Sequence, residues 1–420
     1  MLAYKYKILT FLFLSLFLIT VSCEDSSGPD SAPWVPNSQT LDVEWTEGTL
    51  VVDDLAKSNI VRIDTNNFIY TFKSSYTGAA NLKVGDVLFI YGLALRKVTS
   101  VNSSSGEIVV RTGYASLNEA IKNGTVEWDQ GIEFDPAQAP LLMYPDGKNA
   151  VPLEQIAGGK FELKFKISSF DGTVTVEVDK AKLNVVCSLE KSLSEAMKAK
   201  YELDGNVSRF RSKAKIKFQD NKCKEFDYKN EGLQGELKLT LIATATQNDR
   251  FNDLQLPFLL FEMPFIVGGI PVQVRCKILF VINTVMDASA SAWVSTKFTY
   301  NSSTGIKWDG IKADVNGNIG PYKMDKDKTQ TATAATAGAS FGVGFPRLEV
   351  ALFNKLVVPW VHTAFLIGGT MRNGTHPCQT ADASFIGACG FNFEFLGLSL
   401  SGSKTLWQMD KILLRAGDCD

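Results

Sequence analysis

In the stretch Lys160-Phe161-Glu162-Leu163-Lys164-Phe165-Lys166-Ile167, an apolar side chain stands at every second position with charge between. Successive side chains of an extended strand point to opposite faces, so this period of two marks a strand with one buried and one solvated face. The pattern recurs at 173–178, 210–218, 236–242, 272–282, 292–298 and 391–400. So many half-buried strands, joined by Gly, Asn and Asp turns, predict a mainly β fold whose larger part is an antiparallel β-sandwich or a long curved-sheet domain. A closed outer-membrane barrel would use the same alternation. The charged alternate positions and a C-terminus ending Gly417-Asp418-Cys419-Asp420, with no terminal aromatic, weigh against it.

A smaller β-rich module is expected over 41–135, with strands at 49–52, 60–72, 87–91, 96–101 and 107–112. The run Val87-Leu88-Phe89-Ile90 is apolar at every position, which predicts burial on both faces. Ser116 and Glu119 have the spacing of a capping box, predicting a short helix over 116–121 that stops at Asn123-Gly124. Pro136, Pro140, Pro145 and Pro152 make 136–152 a connector, and 153–420 the large antiparallel β domain. Leu193, Ala196 and Met197 also fit one face of a helix over 188–200. The Ala-, Thr- and Gly-rich stretch 329–344 supplies small residues that let chains approach closely.

The first residues carry Lys5 and Lys7, then an apolar run from Ile8 to Val21, then Ser22-Cys23. The run is shorter than the roughly 20 residues that span a bilayer and has the layout of a signal peptide, 1–22. Thr20-Val21-Ser22-Cys23 resembles a lipobox, which implies a bacterial lipoprotein with a lipid anchor on Cys23. The acidic stretch Glu24-Asp25-Ser26-Ser27-Gly28-Pro29-Asp30-Ser31 opens a flexible tether, 23–40, similar to that of surface lipoproteins of the Bacteroidetes group. That resemblance implies attachment to the outer membrane and exposure at the cell surface. The series Leu82-Lys83-Val84-Gly85-Asp86-Val87, Arg96-Lys97-Val98-Thr99-Ser100-Val101 and Thr112, Ala115, Leu117 resembles a small β module of exported bacterial proteins, a resemblance that carries no chemistry.

Loss of the signal's two lysines takes the formal charge from −2 to −4, which gives the mature chain no electrostatic reason to seek nucleic acid. Beyond Cys23 the cysteines are Cys187, Cys223, Cys276, Cys378, Cys389 and Cys419, an even number that favours disulfides in an exported chain. Cys378 and Cys389 flank a short polar loop and are candidates to close it, leaving Cys419 to pin the C-terminus to an earlier strand. Several of the six are alternatively buried thiols.

No motif for triad hydrolysis, zinc proteolysis or phosphate binding is present, and neither His362 nor His376 has metal-ligand spacing. No catalytic residue, cofactor or metal is therefore expected. Glu127-Trp128-Asp129 and Glu133-Phe134-Asp135 place paired carboxylates beside an aromatic, a pattern for sugar hydrolysis or for a solvated strand edge. Asp314, Asn316 and Asn318 imitate a calcium loop, but the following residues break the pattern and favour an Asn-Gly turn. The apolar stretch 254–267 is either buried sheet or the wall of an apolar groove. Trp45, Trp128, Trp308 and Trp407 are ligand platforms or packed core. These readings converge on a lipid-anchored binding, adhesion or structural protein without catalysis, whose partners beyond the membrane are a surface glycan, a protein or an apolar ligand. Carriage of a lipid and glycoside hydrolysis are the alternatives.

Overall fold

The computed structural model describes residues 35–104, 106–144, 150–167, 170–194, 197–245, 249–251, 257–286, 290–331, 337–353, 355–372, 375–398 and 400–419. Two units are distinguished, Met1–Pro36 and Asn37–Asp420. The expected signal peptide, the lipobox-like segment with Cys23 and most of the expected tether lie outside the described residues. Among the described residues no helix is long and apolar enough to cross a membrane.

The second unit is built from three sheets. β1 (Ser38–Trp45) is followed by a six-stranded sheet of β2 (Thr49–Val52), β3 (Ile60–Asp64), β4 (Ile69–Lys73), β5 (Val87–Ile90), β6 (Ala94–Ser104) and β7 (Glu107–Tyr114), in the order β2-β5-β6-β7-β4-β3. One helical turn, Leu117–Ala120, leads into β8 (Ile121–Ile132), which pairs with β1. β9 (Leu141–Met143) and β10 (Ala150–Pro152) begin a nine-stranded sheet. β11 (Glu154–Ala157), β12 (Lys160–Ile167), β13 (Phe170–Val178), β14 (Lys182–Ser194), β15 (Met197–Ser208), β16 (Phe210–Gln219) and β17 (Lys222–Ala245) belong to a twelve-stranded sheet. β18 (Asp249–Phe251), β19 (Phe258–Val267) and β20 (Ile270–Met286) extend the nine-stranded sheet, and β21 (Ala290–Trp308), β22 (Ala313–Ile319) and β23 (Lys323–Thr331) the twelve-stranded one. β24 (Ala337–Leu352), β25 (Lys355–Arg372), β26 (Cys378–Asn392) and β27 (Ser401–Gly417) complete the nine-stranded sheet.

The trunk of the twelve-stranded sheet is the 24-residue β17. Its first half pairs with β16, which leads on to β8 and β1. Its second half pairs with β15, which leads through β14, β13 and β12 to β11. β21 runs along the other edge of β17 and carries β22 and β23. Among the described residues the strand order runs from β1 to β11 along the main path of this sheet and from β10 to β27 along that of the nine-stranded one, with no pairing that closes either path.

Alternation explains the packing. Along β16, Phe210, Ser212, Ala214, Ile216 and Phe218 are buried, while Arg211, Lys213, Lys215 and Lys217 take the other face. The inward faces of the two large sheets meet as a sandwich, with Trp128 against Phe265, Tyr201 against Phe341, and Phe298 and Tyr300 against Phe365. Each of the fully buried phenylalanine rings among these contributes about 1.5–3 kcal/mol. β5 is buried on both faces, as its sequence predicts. Val87 and Phe89 face the sandwich core, and Leu88 and Ile90 face a separate core inside the small sheet.

Several elements differ from expectation. The small sheet spans 49–114 rather than 41–135, because β1 and β8 pair in the twelve-stranded sheet. The predicted strand 60–72 is the hairpin β3–β4, turned where the Asp64 carboxylate accepts the N–H groups of Asn66 and Asn67. Ser116 and Glu119 do form the capping box, but the helix ends at Ala120 and Asn123-Gly124 lies within β8. The connector 136–152 contributes β9 and β10.

Among the described residues of 188–200 no helix forms. β14 continues to Ser194 and β15 begins at Met197, with Leu183, Val185, Cys187 and Leu189 keeping the period of two. The strand expected over 391–400 stops at Asn392, whose side chain accepts the Glu394 N–H at 3.0 Å. A 3-10 turn follows, closed by Gly397 at φ 76, and it brings both Phe393 and Leu396 into the core.

Candidate functional site

A concavity lies on the twelve-stranded sheet, on the face turned away from the sandwich core. Its volume is about 490 Å³, and β14, β15, β17 and β21 line it. Register places Ser188, Glu202, Thr240 and Ser295 in one row across these four strands. Neighbouring strands lie about 4.8 Å apart, so the row spans roughly 14 Å. Longer side chains flank it: Val186, Asp204 and Lys238 on one side, Glu190, Lys200 and Ile242 on the other. Short hydroxyl side chains between longer ones account for the depression.

Thr240 and Ser295, only 8% and 2% exposed, share a hydrogen bond of 3.2 Å at its floor. Val186 and Ile242 remain partly exposed on its walls. Lys200 approaches Glu202 to 2.7 Å, and that hydrogen bond raises the lysine's pKa. The site thus combines hydroxyls, carboxylates, two lysines and two aliphatic side chains. That set suits hydrogen bonding to a hydroxyl-rich ligand with some apolar surface.

The residues singled out in the sequence lie elsewhere. Trp128 is buried and its Nε1 donates to Ser212 Oγ at 3.3 Å, so it offers no platform to a sugar. Asp129 is paired with Arg211 and Lys213, Glu133 lies 3.9 Å from Arg209, and Asp135 accepts the Ala137 N–H. These carboxylates decorate strand faces and a turn rather than facing each other across a cleft. Trp45 packs on Phe89, Trp407 lies against Phe385, and Trp308 packs against the sandwich core.

Asp314, Asn316 and Asn318 alternate along β22 and form neither a calcium loop nor the expected Asn-Gly turn; Asp314 pairs with Lys312 at 3.0 Å. Among the described residues no cluster of His, Cys, Asp and Glu could hold a metal. Of the apolar stretch 254–267, the described part is β19, with Leu259 and Val267 fully buried in the sandwich core. The cavity beside it measures about 20 Å³, the scale of a single water rather than an acyl chain.

One disulfide is present among the described residues, Cys378–Cys419. The expected closure of Cys378 with Cys389 fails because both lie on β26, roughly 35 Å apart along the strand. Cys187, Cys223, Cys276 and Cys389 are buried free thiols, not disulfide partners. Burial pushes the thiols of Cys187, Cys223 and Cys276 up to about 12, which keeps them unreactive. The disulfide fits an oxidising, extracytoplasmic setting.

The nine-stranded sheet carries a charged cluster on its own outer face. Glu349, 1% exposed, meets Lys277 at 2.7 Å and Arg347 at 2.8 Å. His362, opposite Arg347 on β25, lies over Gly344, where an added Cβ would come within 2.1 Å of the ring. Burial, reinforced by Arg347, lowers its pKa to about 4, so the ring is neutral. His376 is exposed and contacts Asp418 beside the disulfide.

The row of the concavity escaped sequence reasoning because its four members come from four strands far apart in the chain. The available signal was local and weak: Thr240 interrupts Leu237-Lys238-Leu239-Thr240-Leu241 with a hydroxyl where its neighbours on that face are charged or aliphatic. Comparison with protein-family models, curated proteins and solved structures finds no match.

Proposed function

We propose that the mature chain is a lipid-anchored binding protein, tethered to the outer membrane through Cys23 and exposed at the cell surface, which holds a glycan in the concavity of the twelve-stranded sheet without transforming it. The observation that carries this reading is the cross-strand row Ser188–Glu202–Thr240–Ser295 at the floor of a depression of about 490 Å³. Hydroxyl and carboxylate groups in a row supply donors and acceptors for sugar hydroxyls. The sandwich core is packed with aromatic and aliphatic side chains, which favours surface binding over carriage of an apolar ligand in the interior.

The test is a glycan array probed with the acylated mature protein and with the variants Glu202→Gln and Thr240→Val. Binding to a defined set of glycans, weakened about tenfold or more by either substitution at unchanged melting temperature, is the expected outcome. Failure to bind any glycan, or binding indifferent to both substitutions, removes the assignment. Mass spectrometry of the same protein should find the lipid on Cys23; an unmodified chain starting elsewhere would refute the anchor.

A further inference from the structure

Three side chains at one end of the small sheet's core form a group apart from the concavity. Phe68, in the turn between β3 and β4, has φ 55, the left-handed conformation that bulky residues rarely adopt. Its carbonyl is held by Thr112, which donates its backbone N–H at 3.0 Å and its hydroxyl at 2.8 Å. This geometry sets the Phe68 ring 4.4 Å from the Arg96 guanidinium, and Tyr114, paired with Arg96 in the β6–β7 register, lies 5.3 Å from it on its own ring. The two rings are 5.2 Å apart and inclined at 60°, and the guanidinium lies beside both, the third corner of a nearly equilateral triangle.

Arg96 makes one weak hydrogen bond, from Nη1 to the Leu95 carbonyl at 3.4 Å, and its Nε is buried without a partner. Among the described residues it has no carboxylate within ion-pair distance. An apolar side chain would close the end of this core without desolvating a charge. The arrangement instead holds a cation by its stem and planar face and leaves it without an anion, beside a Tyr114 that is 56% exposed. A bulky residue kept in a strained conformation to complete such a group is the kind of outlier that accompanies binding sites.

We infer that Phe68, Arg96 and Tyr114 form a second binding site, for sugars that carry a carboxylate. The guanidinium takes the carboxylate as a charge-assisted pair, and the exposed Tyr114 ring takes the apolar face of the sugar. The site lies on a different sheet from the concavity and uses none of its residues.

Isothermal titration of the mature protein with trigalacturonate, and with the neutral trisaccharide of galactose, tests the site. Two variants accompany it: Arg96→Met, which keeps the stem but not the charge, and Phe68→Gly, which suits a positive φ and removes only the ring. The expected result is binding of the acidic trisaccharide alone, weakened about tenfold or more in both variants. Phe68→Gly should melt close to the parent, so it reads the site even if Arg96→Met folds poorly. Absence of trigalacturonate binding, equal binding of the neutral sugar, or affinity unchanged in Phe68→Gly overturns the proposal. A triglutamate peptide that binds as tightly as trigalacturonate overturns the sugar assignment. Glu202→Gln should leave this binding intact, which separates the two sites.

Discussion

At the scale of single residues, position on a strand face decides what a side chain does. His362 shows the consequence for pH. Its folded pKa of about 4 lies below the ordinary value of 6.5, so the unfolded chain gains a proton first as the solution is acidified. The stability due to the neutral ring is complete above pH 6.5 and is lost as pH falls towards 4, by about 3 kcal/mol in all. Arg347, on the neighbouring strand, acts in the same direction, and Glu349 is already engaged by Lys277 and Arg347. Urea denaturation at stepped pH should therefore show a steep loss between pH 6.5 and 4 that is shallower in His362→Gln. Equal slopes would assign the acid sensitivity elsewhere.

At the scale of elements, β26 and β27 end in a covalent clamp. Cys378 pairs in register with Gly417, and the disulfide to Cys419 joins residues 41 positions apart just beyond that pair. Closing a loop of this length stabilises a fold by about 2–4 kcal/mol. Cys419→Ser should lower the melting temperature and speed amide exchange along β27 first, since among the described residues this strand is paired only with β26. Reductant should reproduce the effect in the parent and do nothing further to the variant. A melting temperature unchanged by both treatments would mean that the clamp does not contribute to stability.

The whole molecule is organised around the position of the small sheet. Trp45 and Ile121 are register partners in β1 and β8, so the segment between them is inserted into a hairpin of the twelve-stranded sheet. β5 then serves two cores at once, and Phe89 packs on Trp45 and Phe353 of the sandwich. Shared burial of this kind couples the sheets. Calorimetry of the mature chain should show one cooperative transition, with β5 amides exchanging as slowly as those of β17. A separate, lower transition for the small sheet would show that the two cores are energetically independent.

Much of this was legible one strand at a time. The period of two at 160–167 and 210–218, the continuous apolarity of 87–90 and the capping box at Ser116 and Glu119 are local properties, set by which face a side chain takes and which N–H it reaches. They determined a mainly β chain and marked most of the strands. Partner choice was not local. Whether Cys378 meets Cys389 or Cys419, whether 136–152 is a connector or two strands, and which polar residues of β14, β15, β17 and β21 share a row all depend on pairings between distant segments. The period of two says which side chains share a face of one strand, and only register across the folded sheet says which residue of another strand lies beside them.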